Sequence, residues 1–498
     1  MKGPALIISI ICFILLNIIN TSAADSEIVP IKEKAILDPK RPLAAELKTS
    51  VAPGFTLVAT GDLISSRPLY QLTQADTNLA QLATILQKAD VTFGNLETTI
   101  IDLVKCKDAS PHAFYDWPHT ADPQVARDLV DFGFKMVSRA NNHSNDWGIA
   151  GMRETTKNIE GAALIHAGCG ENRAQARAAK YLNTAKGRVA LVSMTSTFHE
   201  GAAAMPPHGY APSRPGINAL RLKTYTCVNR EMMDQLWKMK NVFDKLETPS
   251  SFSDRNSDIS DGKKCRQFSV FDTDFQLSST GKEGYHYELN ALDLKEILTS
   301  IRLGKQHSDF LIASLHSHDT AVSPHEIPDY LTPLARKAID SGADIFLVHG
   351  NHVLGPIEIY KNRVIAYGLG NFFWSDIQEP LPAELYESND DILKNTFVRP
   401  EEVTDAEFSS ALNASTFSDN SYFQSIILLS RYEGNLLKEV RIYPVDLGYG
   451  RILSKSGIPH LASPDVGRLI LERIQLMSKS FGTRIKIKDD GTGVIDLR

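Results

Sequence analysis

Five apolar runs in this sequence each end in residues that can bind a metal ion, and this pattern constrains the fold more than any other feature. The runs begin near Phe55, Asp90, Phe134, Asp309 and Ala343. They end at Gly61-Asp62, Asn95-Leu96-Glu97, Asn141-Asn142-His143, His316-Ser317-His318 and His349-Gly350-Asn351-His352. Packing of buried strands does not require such residues at every strand end. Ligands of α/β sheets bind outside the carboxyl ends of the strands, so we expect these side chains to converge on one rim.

The segments between the apolar runs predict the fold class. Residues 124–132, 151–161, 289–303 and 327–341 have the spacing of helices that bury one face. Alternation of strands and helices is typical of an α/β protein with a parallel or mixed sheet covered by helices. Each polar motif taken singly is also typical of a turn or of a histidine bonded within a core. The occurrence of all five motifs at strand ends favours a metal-binding site.

The first 24 residues are those of a secretory signal peptide. One lysine, Lys2, precedes an apolar stretch over 5–19, and Ser22-Ala23-Ala24 follows as a small-x-small cleavage pattern. A retained membrane anchor is the alternative, but the stretch is about 15 residues long and a spanning helix needs roughly 20. We expect cleavage after Ala24 and export of the protein to the periplasm or the cell surface.

The rest of the chain divides by composition. Residues 25–53, rich in Lys, Glu and Pro, predict an extended arm. The main domain is expected over 54–450, with loop-rich insertions at about 197–290 and 376–420. Residues 451–498 are expected to form a C-terminal extension that packs on this domain.

Four cysteines remain once Cys12 is assigned to the signal peptide. They allow three disulfide connectivities in an oxidising compartment. We favour a bond between Cys227 and Cys265, because these two flank a serine-rich stretch over 248–264 that cannot bury itself. The formal net charge of −6 argues against nucleic acid or an anionic membrane surface as a partner.

The strand-end motifs, in their order along the chain, resemble those of the CapA family of poly-γ-glutamate capsule biosynthesis proteins. That family is similar to the calcineurin-like metallophosphatases. The resemblance covers 55–374, about two thirds of the chain, and includes the segment Gly370-Asn371-Phe372-Phe373. It implies an α/β fold of the metallophosphatase type, an α/β/β/α sandwich with mixed sheets flanked by helices and with loop-rich insertions.

The resemblance also implies a centre of one or two divalent metal ions. The expected ligands are Asp62, Glu97, Asn142, His143, His316, His349 and His352. Mixed nitrogen and oxygen ligands suit Zn²⁺, Mn²⁺ or Fe²⁺ better than Mg²⁺. A metal-activated water would be the nucleophile of a hydrolase. His143 or His318 would protonate the leaving group, and Asn141 would polarise the electrophile.

Two motifs depart from the family pattern. The family continues the position of His316 as His-Trp-Gly with a Glu soon after, where this chain has His316-Ser317-His318-Asp319. The family also has a His-Pro-His pair, where this chain has His349-Gly350-Asn351-His352, with Gly350 at the position of the first His. We expect one ligand to be displaced and either His318 or His349 to compensate.

Three functions remain open from the sequence. The first is an exported metal-dependent hydrolase in capsule or poly-γ-glutamate biosynthesis, acting on an acidic polymer or a phosphoester beside a membrane-bound polymer synthesis complex. The second is a non-catalytic accessory factor that binds or tethers an acidic polymer for export. Such a factor needs a basic groove, for which the rim offers Arg67, Arg139, Arg214 and Arg221. The third is a general exported phosphoesterase.

Overall fold

The computed structural model describes residues 47–111, 117–243, 267–270, 273–323, 326–375 and 381–497. The predicted signal peptide, most of the predicted arm, the serine-rich stretch 248–264 and Cys265 lie outside the described residues. Cys106, Cys169 and Cys227 form no disulfide with one another. Within the described ranges, no helix has the length and apolar character needed to cross a membrane.

The larger sheet contains ten strands. From one edge to the other, eight of them are Arg484–Ile487, Gly493–Asp496, Leu436–Asp446, Gln424–Glu433, Phe55–Ser65, Val91–Leu96, Met136–Ser138 and Ile165–Ala167. The last four of these run parallel to one another. Asn371–Ser375 pairs in parallel with Phe55–Ser65, and His460–Leu461 pairs with Leu436–Asp446.

The second sheet contains six strands. Their order is Ile357–Tyr360, Arg363–Ala366, Ile345–His349, Phe310–His316, Gly187–Thr195 and Lys180–Thr184. The four inner strands are parallel, and each edge strand pairs antiparallel with its neighbour. The inner strands are apolar along most of their length because both faces of the sheet are covered.

The two sheets pack face to face. Leu57 and Phe93 of the larger sheet share one buried core with Ile312 and Leu347 of the second sheet. Each such side chain contributes about 1.5–3 kcal/mol when it is fully buried. Side chains alternate along a strand, so that Val58, next to Leu57, lies in a different core.

Helices cover the outer face of each sheet. Thr77–Lys88, Val125–Phe132 and Gly148–Gly161 contribute to the outer core of the larger sheet. Ala291–Gln306 and Leu331–Asp340 do so for the second sheet. The order of layers is helix, sheet, sheet, helix, which confirms the predicted α/β/β/α sandwich.

Shorter elements complete the fold. The remaining helices are Arg173–Arg177, Arg230–Phe243, Ala383–Ser388, Asp390–Thr396, Asp405–Thr416 and Pro464–Ser478. The 3-10 helices are Tyr70–Gln74, Asn142–Asn145, Glu200–Ala202, Pro400–Glu402, Asn420–Phe423, Leu453–Lys455 and Lys479–Phe481. Two small sheets pair Thr99–Ile100 with Thr120–Ala121, and Cys169–Gly170 with Gly216–Ile217.

Both predicted insertions contain more regular structure than we expected from their composition. The first forms a sheet of four strands, in the order Gln267–Val270, Thr273–Leu277, Leu222–Val228 and Gly284–Leu289. The second contains three helices, whose buried side chains Leu385, Leu393, Phe408 and Leu412 form a small core of their own. A capping box between Thr404 and Glu407 starts the last of these helices.

The C-terminal segment contributes to the larger sheet. Its strand Gly493–Asp496 pairs with Leu436–Asp446, and Arg484–Ile487 continues the sheet. Its helix Pro464–Ser478 places Ile470 and Ile474 in the core between the sheets.

Candidate metal centre

The carboxyl ends of the parallel strands of both sheets meet at one rim. Asp62 lies in the strand Phe55–Ser65, where the pairing register shifts and the strand bulges. Gly61 is required there, because a Cβ at this position would lie 1.8 Å from the carbonyl oxygen of Gly370. The Gly61-Asp62 motif thus brings the Asp62 carboxylate close to a neighbouring strand.

Glu97 lies in an environment that is unfavourable for a charged carboxylate. It follows the strand Val91–Leu96 and is fully buried. Within the described part of the chain, neither of its carboxylate oxygens has a hydrogen-bond partner. Burial raises the pKa of Glu97 well above its ordinary value, and the charges of Asp62 and Asp146 raise it further. A buried carboxylate without partners is costly, and a metal ion at this point would remove that cost.

Two imidazoles converge on Glu97. Nε2 of His316 lies 3.4 Å from Oε1 of Glu97, and Nε2 of His318 lies 3.7 Å from the same oxygen. The two Nε2 atoms are 3.1 Å apart. Burial and then His318 lower the pKa of His316 well below its ordinary value, and burial and then His352 lower the pKa of His318 to about 3. Both rings are therefore neutral at pH 7, which is the form that binds metal.

A second group of ligand atoms shares Glu97. Asp62, Glu97 and His352 each offer an atom within 4.8 Å of the others. Nδ1 of His352 lies 2.8 Å from Oδ1 of Asn371. The same Nδ1 lies 3.4 Å from Oδ2 of Asp62, so this nitrogen faces both the Asn371 amide and the Asp62 carboxylate. Glu97 belongs to both groups, so it would be a ligand common to both ions if two were bound.

Asp62 stays charged through its neighbours. Nδ2 of Asn95 donates to its Oδ1 at 2.8 Å, and the backbone N–H of Gly350 donates to its Oδ2 at 3.2 Å. Burial alone would raise the pKa of Asp62, but the hydrogen bond from His352 and the nearby imidazoles of His349, His352 and His316 lower it below its ordinary value. We did not predict a role for Asn95, although the Asn-Leu-Glu motif contains it.

Asn141 builds the loop that follows the strand Met136–Ser138. Its Oδ1 accepts from the backbone N–H of His143 at 3.2 Å and from Oγ of Ser144 at 2.9 Å. Its Nδ2 donates to the carbonyl oxygen of Leu96 at 2.7 Å and to Oδ1 of Asn95 at 3.3 Å. Both ends of the amide are thus used within the protein, which disfavours the role of Asn141 in polarising an electrophile; that role stays a prediction.

The side-chain oxygen of Asn142, unlike that of Asn141, is not used in a hydrogen bond within the described part of the protein. Oδ1 of Asn142 is buried and has no hydrogen-bond partner among the described residues. An amide oxygen without a partner suits a metal ligand. The role of Asn142 as a ligand stays a prediction.

His143 is held by a carboxylate rather than placed among the ligand atoms. Its Nδ1 lies 2.9 Å from Oδ2 of Asp146, and its ring packs against His119 with 3.9 Å between centroids. Burial lowers the pKa of His143 well below its ordinary value, and His119 lowers it further. Among the described residues, His143 belongs to neither of the two ligand groups. This arrangement favours proton transfer over the ligand role that we also expected.

Asp146 was missed by sequence reasoning. Its Oδ2 also accepts from the backbone N–H of His119, at 2.6 Å. The available signal was an aspartate one turn after His143, which is the spacing at which a carboxylate can reach Nδ1 of the imidazole.

His349 is a core residue. Its Nε2 lies 3.0 Å from the carbonyl oxygen of Thr60, and its Nδ1 lies 3.5 Å from Oγ of Ser314. Its ring meets the ring of Phe93 edge-on, with 5.8 Å between centroids. Both nitrogens face protein groups, and His349 belongs to neither ligand group among the described residues, which disfavours the ligand role that we expected; that role stays a prediction.

We expect the pair of variants His349→Asn and His352→Asn to separate these two roles. His352→Asn should weaken metal binding by at least about tenfold, since outer partners of metal ligands alone cost tenfold or more. His349→Asn should leave metal affinity unchanged. Calorimetric titration of the metal-free variants measures both values, and equal losses would restore His349 as a ligand.

The fold and this rim define a metallophosphatase-like protein, in which carboxylates and histidines from the strand ends of two facing sheets form groups that could bind a metal ion. The sequence profile described as "Bacterial capsule synthesis protein PGA_cap" matches residues 56–375, and the chain belongs to this family. This match confirms the resemblance inferred from the motifs.

Individual relatives agree with the family. The chain is 40% identical over 473 residues to the uncharacterized protein y4sH of Sinorhizobium fredii, covering 92% of this chain and 97% of the relative. It is 23% identical over 323 residues to the "Capsule biosynthesis protein CapA" of Bacillus anthracis, covering 64% of this chain and 59% of that protein. It is 22% identical over 316 residues to the "PGA biosynthesis protein CapA" of Bacillus subtilis, covering 63% of this chain and 61% of that protein.

Proposed function

We propose that this protein is an exported, metal-dependent hydrolase of surface polymer biosynthesis. The observation that carries the proposal is the buried carboxylate of Glu97, which has no hydrogen-bond partner among the described residues and lies within reach of His316 and His318. A protein that only needed to fold would be more stable with a satisfied or apolar residue at this position.

The chemistry follows from the side chains around Glu97. Divalent ions such as Zn²⁺, Mn²⁺ or Fe²⁺ would supply a hydroxide nucleophile near neutral pH. Glu97, His316 and His318 would hold one ion, and Asp62, Glu97 and His352 the other. His143 would take up a proton released by the attacking water and pass it to the leaving group. Asp146, behind Nδ1, fixes the ring of His143 and stabilises its protonated form.

The substrate and partners are proposed from the family. We propose an acidic polymer, poly-γ-glutamate, or a phosphoester as the substrate, in association with a membrane-bound polymer synthesis complex. The two relatives named CapA are a capsule biosynthesis protein and a PGA biosynthesis protein. Export is proposed from residues 1–24 of the sequence.

The four rim arginines do not favour the accessory function. Arg139 is buried and donates to Thr156 and to the carbonyl oxygen of Met152. Arg221 pairs with a buried aspartate, Asp293. Arg67 and Arg214 donate to backbone carbonyl oxygens. All four guanidinium groups make hydrogen bonds or ion pairs within the protein, which weighs against a basic groove built from them.

Metal removal tests the proposal. We expect the purified mature protein to contain one or two equivalents of Zn, Mn or Fe by elemental analysis. It should hydrolyse a chromogenic phosphoester or shorten poly-γ-glutamate, lose that activity after treatment with a chelator, and regain it when metal is restored. A protein without metal, or one whose activity survives complete removal of metal, would contradict the proposal.

A further inference from the structure

We propose that Asp319 is a positioning residue, which holds His318 as the metal ligand that position 350 cannot supply. This inference rests on the proposed metal-dependent function and deepens it. It also explains the two departures from the family pattern together. The motif His349-Gly350-Asn351-His352 lacks the histidine of the family at position 350, and the motif His316-Ser317-His318 has an additional histidine at position 318.

Position 350 has no room for a side chain. The backbone of Gly350 has a φ of 103°, which L residues rarely adopt. A Cβ there would lie 2.9 Å from Cε1 of His316 and 2.9 Å from the backbone nitrogen of Ser317. His318, two residues after His316, instead places its Nε2 3.1 Å from that of His316.

Three hydroxyl groups hold Asp319. Its Oδ2 accepts hydrogen bonds from Oγ of Ser196 at 2.6 Å, Oγ of Ser317 at 2.9 Å and Oη of Tyr330 at 2.8 Å. Ser196 follows one strand of the second sheet, Ser317 follows the next, and Tyr330 precedes the helix Leu331–Asp340. Burial and the charge of Asp319 raise the pKa of Tyr330 well above its ordinary value, so Tyr330 remains a donor. We call these four residues the Asp319 clamp.

The clamp fixes both chain neighbours of His318. Ser317 and Asp319 belong to it, and the backbone N–H of His318 donates to Oγ1 of Thr197 at 2.7 Å. His316 ends a strand and is fully buried, whereas the side chain of His318 lies on a loop and is 35% exposed. A ligand on a loop loses conformational freedom when metal binds, and fixing the loop beforehand reduces that cost.

The first insertion supports the same loop. Oη of Tyr287, in the insertion strand Gly284–Leu289, donates to the carbonyl oxygen of Thr320 at 2.8 Å. The ring of Tyr287 meets the ring of Tyr330 edge-on, with 5.4 Å between centroids. The backbone N–H of Tyr285 donates to the carbonyl oxygen of Ala321 at 3.2 Å. The insertion thus reaches the ligand loop directly and braces it.

Titration of the metal-free protein with Co²⁺ tests the inference, with calorimetry and the visible absorption of bound Co²⁺ as readouts. We expect wild type to bind two ions and His318→Ala to lose one binding event. Tyr330→Phe and Asp319→Asn should weaken that same event by about tenfold or more and leave the other unchanged. Tyr367→Phe is the matched control, because Tyr367 is an equally buried tyrosine that donates to a carboxylate, that of Glu358.

The outcomes separate the clamp from the proposed function. If wild type binds two ions and both clamp variants do so with unchanged affinity, the clamp is overturned while the metal centre stands. If both events weaken together, or if Tyr367→Phe has the same effect, the clamp is a general stabiliser and the inference is again overturned. If wild type binds no Co²⁺, the proposed function fails first. Ser196→Ala, which removes one of the three donors, gives the same comparison should Asp319→Asn fail to fold.

Discussion

Replacing Glu97 with glutamine is expected to remove nearly all bound metal and the hydrolase activity with it. Glu97 belongs to both groups of ligand atoms, and glutamine keeps its shape but not its charge. Loss of the bridging ligand should cost more than the roughly 10- to 100-fold in affinity typical for outer partners of metal ligands. Elemental analysis and activity of the purified variant measure the two losses.

When metal is absent, Glu97→Gln should not reduce the stability of the protein, although it removes metal binding. Without metal and at neutral pH, glutamine avoids the cost of burying the charged form of Glu97, so the variant should be at least as stable as wild type there. With metal at about 100 times its dissociation constant, wild type should gain about 2.7 kcal/mol of unfolding free energy and the variant nothing. Thermal unfolding with and without metal gives both comparisons.

The pH dependence of the metal-free comparison follows from the raised pKa of Glu97. The folded protein holds this proton more tightly than the unfolded chain, so Glu97 favours folding below the pKa of an unfolded glutamate, about 4.3. That contribution is lost as the pH rises through the raised pKa, whereas Glu97→Gln lacks it. The free energy of unfolding of the metal-free variant should therefore increase relative to that of metal-free wild type as the pH rises.

Glu358→Gln is the matched control for Glu97→Gln. Glu358 is also buried, but it pairs with Arg336 and accepts from Tyr367. The control should lose stability with or without metal and keep its metal content. If Glu97→Gln behaved like this control, or retained its metal, Glu97 would not be a ligand.

Replacing His143 with glutamine is expected to reduce hydrolysis by about 10²- to 10⁴-fold, the usual contribution of a positioned proton donor or acceptor. Metal content should be unchanged, because His143 lies against Asp146 and outside both ligand groups. Asp146→Asn should reduce hydrolysis as well, since it removes the carboxylate that orients the ring.

The control for His143 is His166→Gln. His166 is another buried histidine, 3.3 Å from a carboxylate oxygen of Glu160, and its pKa is lowered to about 3, first by burial and then by Arg139 and Lys180. This variant should retain both metal and activity. A fall in metal content that parallels the loss of activity in His143→Gln would instead make His143 a ligand, as the sequence first suggested.

The layered fold and the position of the site were predictable because both depend on local patterns. The run from Phe55 to Asp62 buries alternate residues in two cores, as a strand between two layers must. Parallel strands place their carboxyl ends at one edge, so Asp62, Glu97 and His316 had to lie near one another once the strands were assigned.

The choice among histidines was not predictable, because it depends on distant contacts. His349 contacts the carbonyl oxygen of Thr60 and the ring of Phe93, which are far away in the sequence. Gly350 excludes a side chain only because His316 lies against it in space. Likewise, the strand Leu222–Val228 of the first insertion finds its partners, Thr273–Leu277 and Gly284–Leu289, only beyond an intervening helix and a polar stretch.

Anomalous diffraction from crystals of the metal-loaded protein tests the metal centre most directly. Data collected on both sides of the Zn or Mn absorption edge should give two peaks about 3.5–4 Å apart, the separation of ions in two-metal sites. Both peaks should touch Glu97, with His316 and His318 at one ion and Asp62 and His352 at the other. Crystals of metal-loaded protein without a peak at Glu97, or with the metal bound elsewhere, would contradict this account.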